Sequence, residues 1–427
     1  MKKFLAFVFI GLMGIWFWWH HGQFMINVDD GPNDVEIVEI TREIVDVTGR
    51  VETAYESLTV SQTEPIERPH QQPAIPMGEH DPLGAYFYLQ LAEEDREIYR
   101  LIRYGVLNSL PEITIETDDV DRIHDIFRRI LFDHPELFWV TGAGSTTVTR
   151  TSDGHASATF KPDYAHKGIE LLVMKAEIER AIDAFLATVE PNLTDYELVR
   201  VVYEYLIKNT TYNLDAPDNQ NIYSVFVNGE SVCAGISRAA QLLLNRLGIF
   251  ATYVVGEAYV PGTSTTPIAH AWNLVRVGGE YYYLDVTWGL PTFGQDSELA
   301  ERIHVIYDYL LLPGELIYRT HTLSDGLIMP EVSSWTHTFF YLNNMFYDSN
   351  DPDILLEALN TSVLNGEEKI AFQFATLELF EEMREIIIDE LAPMAAKNLL
   401  EWHDLTSTQY FFRERASLNK MTIYWTY

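Results

Sequence analysis

The feature that constrains this chain most is the Gly278-Gly279 dipeptide set between two strand-like runs, Trp272-Asn-Leu-Val-Arg-Val and Tyr281-Tyr-Tyr-Leu-Asp-Val. Glycine tolerates the positive φ that a tight two-residue hairpin loop demands, so the pair predicts a turn and, with it, a register. If Val277 pairs with Glu280, Trp272 faces Asp285 and His270 faces Thr287. His270 and Asp285 then become diagonal neighbours on one face, roughly 7–8 Å apart at the backbone, within reach of an imidazole–carboxylate hydrogen bond. A loop one residue longer or shorter would turn them to opposite faces.

Upstream of the hairpin stands the sole cysteine, Cys233. It opens a buried stripe at helical spacing, Ile236, Ala239, Ala240, Leu243, Leu244 and Leu247, which Gly248 stops. With Ser231 as N-cap, the sulfur falls in the first turn, where unpaired amides and the helix dipole favour a thiolate and suit a developing oxyanion. Taken singly, a lone cysteine or histidine is most often structural. Thiol, imidazole and carboxylate together are what nucleophilic acyl chemistry needs.

Four segments carry a resemblance to the transglutaminase-like superfamily: Gly-Glu-Ser-Val-Cys-Ala-Gly-Ile-Ser (229–237), Leu-Leu-Leu-Asn-Arg-Leu-Gly-Ile (242–249), His-Ala-Trp-Asn-Leu-Val (270–275) and Tyr-Tyr-Leu-Asp-Val-Thr-Trp (282–288). The resemblance implies an α+β fold with a papain-like core, a cysteine-bearing helix packed on an antiparallel sheet bearing histidine and aspartate. An N-terminal α/β region and a small C-terminal α/β region would flank it. It also implies Cys233 as nucleophile, His270 as general base and acid, and Asp285 as the group orienting the imidazole. Candidate substrate-binding residues are Tyr223, Trp272 and Trp288; core packing is the alternative for Tyr223. Amine as acceptor of the acyl group gives transamidation, and water gives proteolysis or deamidation. The alternatives are therefore a cysteine peptidase or amidase of the same fold, or a non-catalytic cell-surface binding or scaffold protein. No cofactor is expected. His304, His321 and His337 lack metal-ligand spacing and read as structural, and neither a His-Glu-x-x-His motif nor a phosphate-binding glycine loop is present.

Acidic residues number 63 against 29 basic, a net charge of −34 that disfavours nucleic acid as a partner. A protein or peptide substrate is expected instead, with cell-wall peptides one such class. Residues 1–24 read as a signal anchor or signal peptide: Lys2-Lys3 precedes an apolar run from Phe4 to Trp19, with Trp16, Trp18 and Trp19 placed like an interfacial belt. The implied location is the cell membrane with the catalytic part outside the cytoplasm, or secretion. Residues 25–82 read as an acidic, proline-containing linker, in which Val35-Glu-Ile-Val-Glu-Ile alternates like a strand.

The remainder divides into an N-terminal helical and strand region (83–190), a catalytic core (191–345) and a C-terminal α/β region (346–427). In the first, helices are expected from Ala92, Val120 and Gly168, a strand at Leu137-Phe-Trp-Val, and a hairpin around Asp153-Gly154. His124 is expected on an exposed or rim position. Thr194 and Glu197 read as the capping box of an amphipathic helix. Beyond Trp288, Phe339-Phe-Tyr-Leu and Met345-Phe-Tyr read as aromatic strands, and the tail reads as strand–helix–strand from Lys369 to Trp425.

Overall fold

The computed structural model describes residues 28–30, 35–40, 85–152, 154–259, 266–291, 305–404 and 408–426. Residues 1–24, read as a signal anchor or signal peptide, and most of the segment read as a linker lie outside these, and among the described residues no helix is long and apolar enough to cross a membrane. The chain forms two compact units, 1–179 and 180–427.

The first unit is built on a five-stranded antiparallel sheet, order β1-β2-β4-β5-β3. Its strands are β1 (Val28–Asp30), β2 (Val35–Ile40), β3 (Ile113–Ile115), β4 (Val140–Thr151) and β5 (Ala156–Tyr164). Val35–Ile40 is the strand its alternation suggests and pairs with β4, and Val28–Asp30, read as linker, is a strand paired with β2. The β4–β5 hairpin turns through Gly154 at φ +88°, as its Asp-Gly sequence favours. Helices α1 (Glu93–Leu107) and α2 (Val120–Asp133) accompany the sheet. Ile123, Phe127 and Ile130 are fully buried, and Phe127 meets Phe160 of β5 at 4.9 Å between ring centroids.

His124 is not a rim residue: it is buried, and its Nε2 lies 3.0 Å from Thr146 Oγ1 on β4. Leu137-Phe-Trp-Val is not a strand either. The segment turns at Leu137–Trp139, all buried, and β4 begins only at Val140. Apolar residues in a buried turn imitate a strand when pattern alone is read. Helix α3 (Gly168–Leu186) crosses the division between the units.

The second unit opens with α4 (Asp195–Asn209), where Thr194 and Glu197 form the reciprocal capping box. A short parallel pair, β6 (Thr211–Tyr212) and β7 (Glu230–Ser231), then delivers the chain to α5 (Cys233–Arg246). Helix α5 packs on an antiparallel sheet of order β10-β9-β8-β11: β8 (Ala251–Ala258), β9 (Ile268–Val277), β10 (Glu280–Leu284) and β11 (His321–Leu323). The β9–β10 loop is Gly278-Gly279, at φ +59° and +92°, and Val277 pairs with Glu280, so the register is the one the turn predicts.

The C-terminal part carries a second sheet, order β12-β13-β15-β14: β12 (Phe346–Tyr347), β13 (Lys369–Phe374), β14 (Gln409–Arg415) and β15 (Lys420–Thr426). One of its faces buries Phe372, Phe374, Met421 and Ile423 against α6 (Pro352–Leu364), α7 (Leu377–Ile386) and α8 (Ala392–Trp402). Phe339–Leu342 is a single helical turn and not a strand, because Thr338 caps it through the Tyr341 amide at 3.4 Å.

Candidate active site

Cys233 is the first residue of α5, and what precedes it differs from the expectation in one respect. Val232, not Ser231, is the N-cap, with an extended backbone and no side-chain cap. Ser231 is engaged elsewhere: its hydroxyl donates to the Asn219 carbonyl at 2.7 Å and accepts from Ser224 Oγ at 2.7 Å. A Cβ on Gly235 would fall 2.2 Å from Ser231 Oγ and 2.8 Å from two carbonyls, so glycine alone lets this loop close over the helix start. The helix is then fastened to the sheet. Ser237 Oγ donates to the Ala271 carbonyl at 2.9 Å, and Asn273 Nδ2 donates to the Ser237 carbonyl at 2.9 Å.

The opposite side of the site is built by register. His270 on β9 and Asp285, just past the end of β10, come together as diagonal neighbours: His270 Nε2 donates to Asp285 Oδ2 at 2.7 Å. The other face of the imidazole's reach is taken by sulfur, since the Cys233 side chain hydrogen-bonds His270. All three groups are buried, at 3%, 1% and 0% exposure for Cys233, His270 and Asp285. Burial pulls the His270 pKa down, but the charge and hydrogen bond of Asp285, with the Cys233 hydrogen bond, outweigh it and raise it to about 10. Burial pushes Asp285 up. The charge and hydrogen bond of His270 and the hydrogen bond of His321 prevail, and hold it well below the usual carboxylate range.

Two residues of this site were missed by sequence reading. His321, read as structural, stands on β11, which reaches the sheet by pairing with β8. Its Nε2 donates to the same Asp285 oxygen at 3.2 Å, and burial keeps its pKa low. His270, Asp285 and His321 thus bring three potential metal-ligating side chains within 4.8 Å of one another, arranged so that an Nε2 from each ring addresses one carboxylate oxygen as a hydrogen-bond donor. Nothing local to His321 marks it, since β11 is three residues long and its partner lies more than sixty positions away. Tyr212 is the second. Its hydroxyl donates to the Cys233 side chain and accepts the Cys233 amide, and burial followed by the sulfur's charge raises its pKa. The parallel pairing of Tyr212 with Ser231, two residues before the cysteine, places it there.

The candidate substrate-binding residues fall differently from the expectation. Trp272 has no exposed surface and Trp288 only 4%, so both serve as walls of the imidazole pocket. Trp272 stacks on His270 at 6.0 Å and 20°, and Trp288 packs against His270 at 5.7 Å and His321 at 4.5 Å between centroids. Tyr223 is half-buried before a short π-helical turn, its amide held by Asn221 Oδ1 at 2.8 Å. His337 hydrogen-bonds the Tyr282 hydroxyl at 3.0 Å, and His304 lies outside the described residues.

Comparison with known proteins finds similarity over the part of the chain that carries Cys233, His270 and Asp285. Residues 183–286 match the Transglutaminase-like superfamily. Cytokinesis protein 3 of Schizosaccharomyces pombe is 23% identical over 234 residues, which are 50% of this chain and 25% of that protein, so the chain spans about a quarter of its length. Among solved structures, a transglutaminase is similar at 16% identity and a TM-score of 0.24, over 37% of this chain and 47% of the other. A putative cysteine protease from Cytophaga hutchinsonii is similar at 17% identity and 0.22, over 35% and 58%. An arylamine N-acetyltransferase from Bacillus cereus is similar at 16% identity and 0.22, over 27% and 51%. Residues 183–286 form a transglutaminase-like domain.

Proposed function

We propose that this protein is a thiol acyl-transfer enzyme acting on protein or peptide amides through an acyl-enzyme, with Cys233, His270 and Asp285 as its catalytic groups. The observation that carries the reading is the buried His270, held between the Cys233 side chain and an Asp285 oxygen at 2.7 Å. In the first step His270 takes the thiol proton while the sulfur attacks the carbonyl carbon. The tetrahedral oxyanion is met by the amides of the uncapped first turn of α5 and by the Tyr212 hydroxyl. Collapse expels the amine, which leaves with the proton from His270, and a thioester remains on Cys233. An amine or water then gives its proton to His270, attacks the thioester, and returns the thiol. Asp285 stabilises the imidazolium that forms on His270.

The small exposure of Cys233 favours a slender acyl donor, such as a carboxamide side chain, over a bulky one. The apolar run after Lys2-Lys3 supports a further part of the proposal, that the domain works outside the cytoplasm, membrane-anchored or secreted. Mass measurement of the mature N-terminus tests that part.

The catalytic part is tested with the purified chain by incorporation of a fluorescent amine into a glutamine-containing peptide and, in parallel, by peptide hydrolysis. Cys233→Ala should abolish whichever activity is present, and His270→Ala should lower it at least a hundredfold. No activity on either substrate, together with iodoacetamide alkylation of Cys233 that is unaffected by His270→Ala, would favour the scaffold reading and overturn this one.

A further inference from the structure

The C-terminal sheet has two faces of opposite chemistry. Along β13 and β15 the apolar Phe372, Phe374, Met421 and Ile423 alternate with residues turned the other way, and on that second face stand Lys369, Arg413, Arg415 and Lys420. These four cations line a single cavity of about 220 Å³. In a chain with 63 acidic and 29 basic residues, such a gathering runs against the composition.

Among the described residues one carboxylate lines the same cavity, that of Asp308. It bridges Arg415 Nη1 at 3.1 Å and the Lys420 ammonium. Arg415 and Lys420 are directly opposed cross-strand partners, an arrangement that repels without a shared counter-ion. Asp308 therefore answers part of the charge of two cations, and Lys369 adds its own repulsion to Lys420. Arg413 sits one pair further along the same face, opposite Thr422. Arg415 and Lys420 are mostly buried, Arg413 is half-buried and Lys369 is exposed, and a cleft lined by charges of one sign with apolar walls concentrates counter-ions. The remaining wall is apolar, with Ile306, Phe339, Phe340 and Met345.

We propose that this cavity binds a small organic anion, a carboxylate or phosphate carried on an apolar or aromatic body. Lys369 and Arg413 hold the anionic head, guanidinium being suited to two-point contact with planar or tetrahedral oxyanions. Phe339, Phe340 and Met345 receive the body. The site is separate from Cys233, and its occupancy does not depend on acyl transfer.

Isothermal titration of the full chain with phenyl phosphate, benzoate, inorganic phosphate and benzyl alcohol tests this. Saturable binding of at least one organic anion is expected, tenfold or more tighter than either inorganic phosphate or benzyl alcohol. Lys369→Gln combined with Arg413→Gln should weaken it at least tenfold, while the charge-keeping pair Lys369→Arg and Arg413→Lys, and Cys233→Ala, should retain it. The thermal transition of each variant reports its folding. The proposal is overturned if neither organic anion saturates, if benzyl alcohol or inorganic phosphate binds as tightly, or if the glutamine pair, folded, binds undiminished.

Discussion

Asp285 accepts three hydrogen bonds, from His270 at 2.7 Å, His321 at 3.2 Å and the Trp288 amide at 3.1 Å. A buried carboxylate needs all of them, so His321→Ala should cost about 1–3 kcal/mol in urea denaturation. His321→Gln, which can offer an amide N–H in place of Nε2, should recover part of that. The pH dependence has a definite sign. His270 is raised from 6.5 to about 10, so its stabilisation is complete below 6.5 and is lost as pH rises through about 10. Asp285 is depressed from 3.8, so its share is present above that value and lost as pH falls through the folded value. The difference in Tm between the wild type and His270→Ala should therefore shrink between pH 6.5 and about 10; a constant difference would refute the coupling. Of this network, the His270–Asp285 pair was legible because a local turn fixes it. His321 and Tyr212 were not, since β8–β11 and β6–β7 pairing brings them in, and neither pairing leaves a mark in the adjacent sequence.

At the scale of elements, the same contrast separates what patterns reveal from what they conceal. Helices with caps and stripes, such as Thr194–Glu197 leading into α4, are written locally. Leu137–Val140 and Phe339–Leu342 are apolar runs whose strand or turn character depends on what packs around them. Strand β11 is of the second kind, and its seat depends on Gly256, where an added Cβ would lie 1.9 Å from the Thr322 carbonyl oxygen. Gly256→Ala should push β11 from β8 and withdraw His321 from Asp285, costing about 1–3 kcal/mol as overpacking does. A fall in Cys233-dependent activity larger than the loss of folded protein would locate the effect at the site. Insertion of one alanine between Gly278 and Gly279 should be harsher, because the shifted register turns Asp285 from His270.

Over the whole second unit, residues 180–427, the decisive contacts are those between segments far apart in sequence. The sequence pattern suggests a boundary at 345, between a catalytic core and a C-terminal region. The buried Asp308 lies before that boundary, and its partners Arg415 and Lys420 lie after it, the latter 112 positions away. Arg319 similarly donates to Asn419 Oδ1 at 2.6 Å. Asp308 is immediately followed by Tyr309, whose carbonyl accepts the Asp285 amide at 3.1 Å and whose ring packs on Trp288 at 4.9 Å. A chain ending at residue 345 would leave the Asp308 carboxylate buried without its cations, and breaking such a pair from one side costs about 3–5 kcal/mol. That loss is a large fraction of a typical domain's stability, and it falls one residue from the wall of the imidazole pocket. The truncated chain should therefore lose its cooperative thermal transition, and Asp308→Asn in the full chain should lower Tm without removing it. If the truncated chain instead melts cooperatively at the full chain's temperature and keeps Cys233-dependent activity, the C-terminal sheet is an appendage and not part of the fold that holds Asp285.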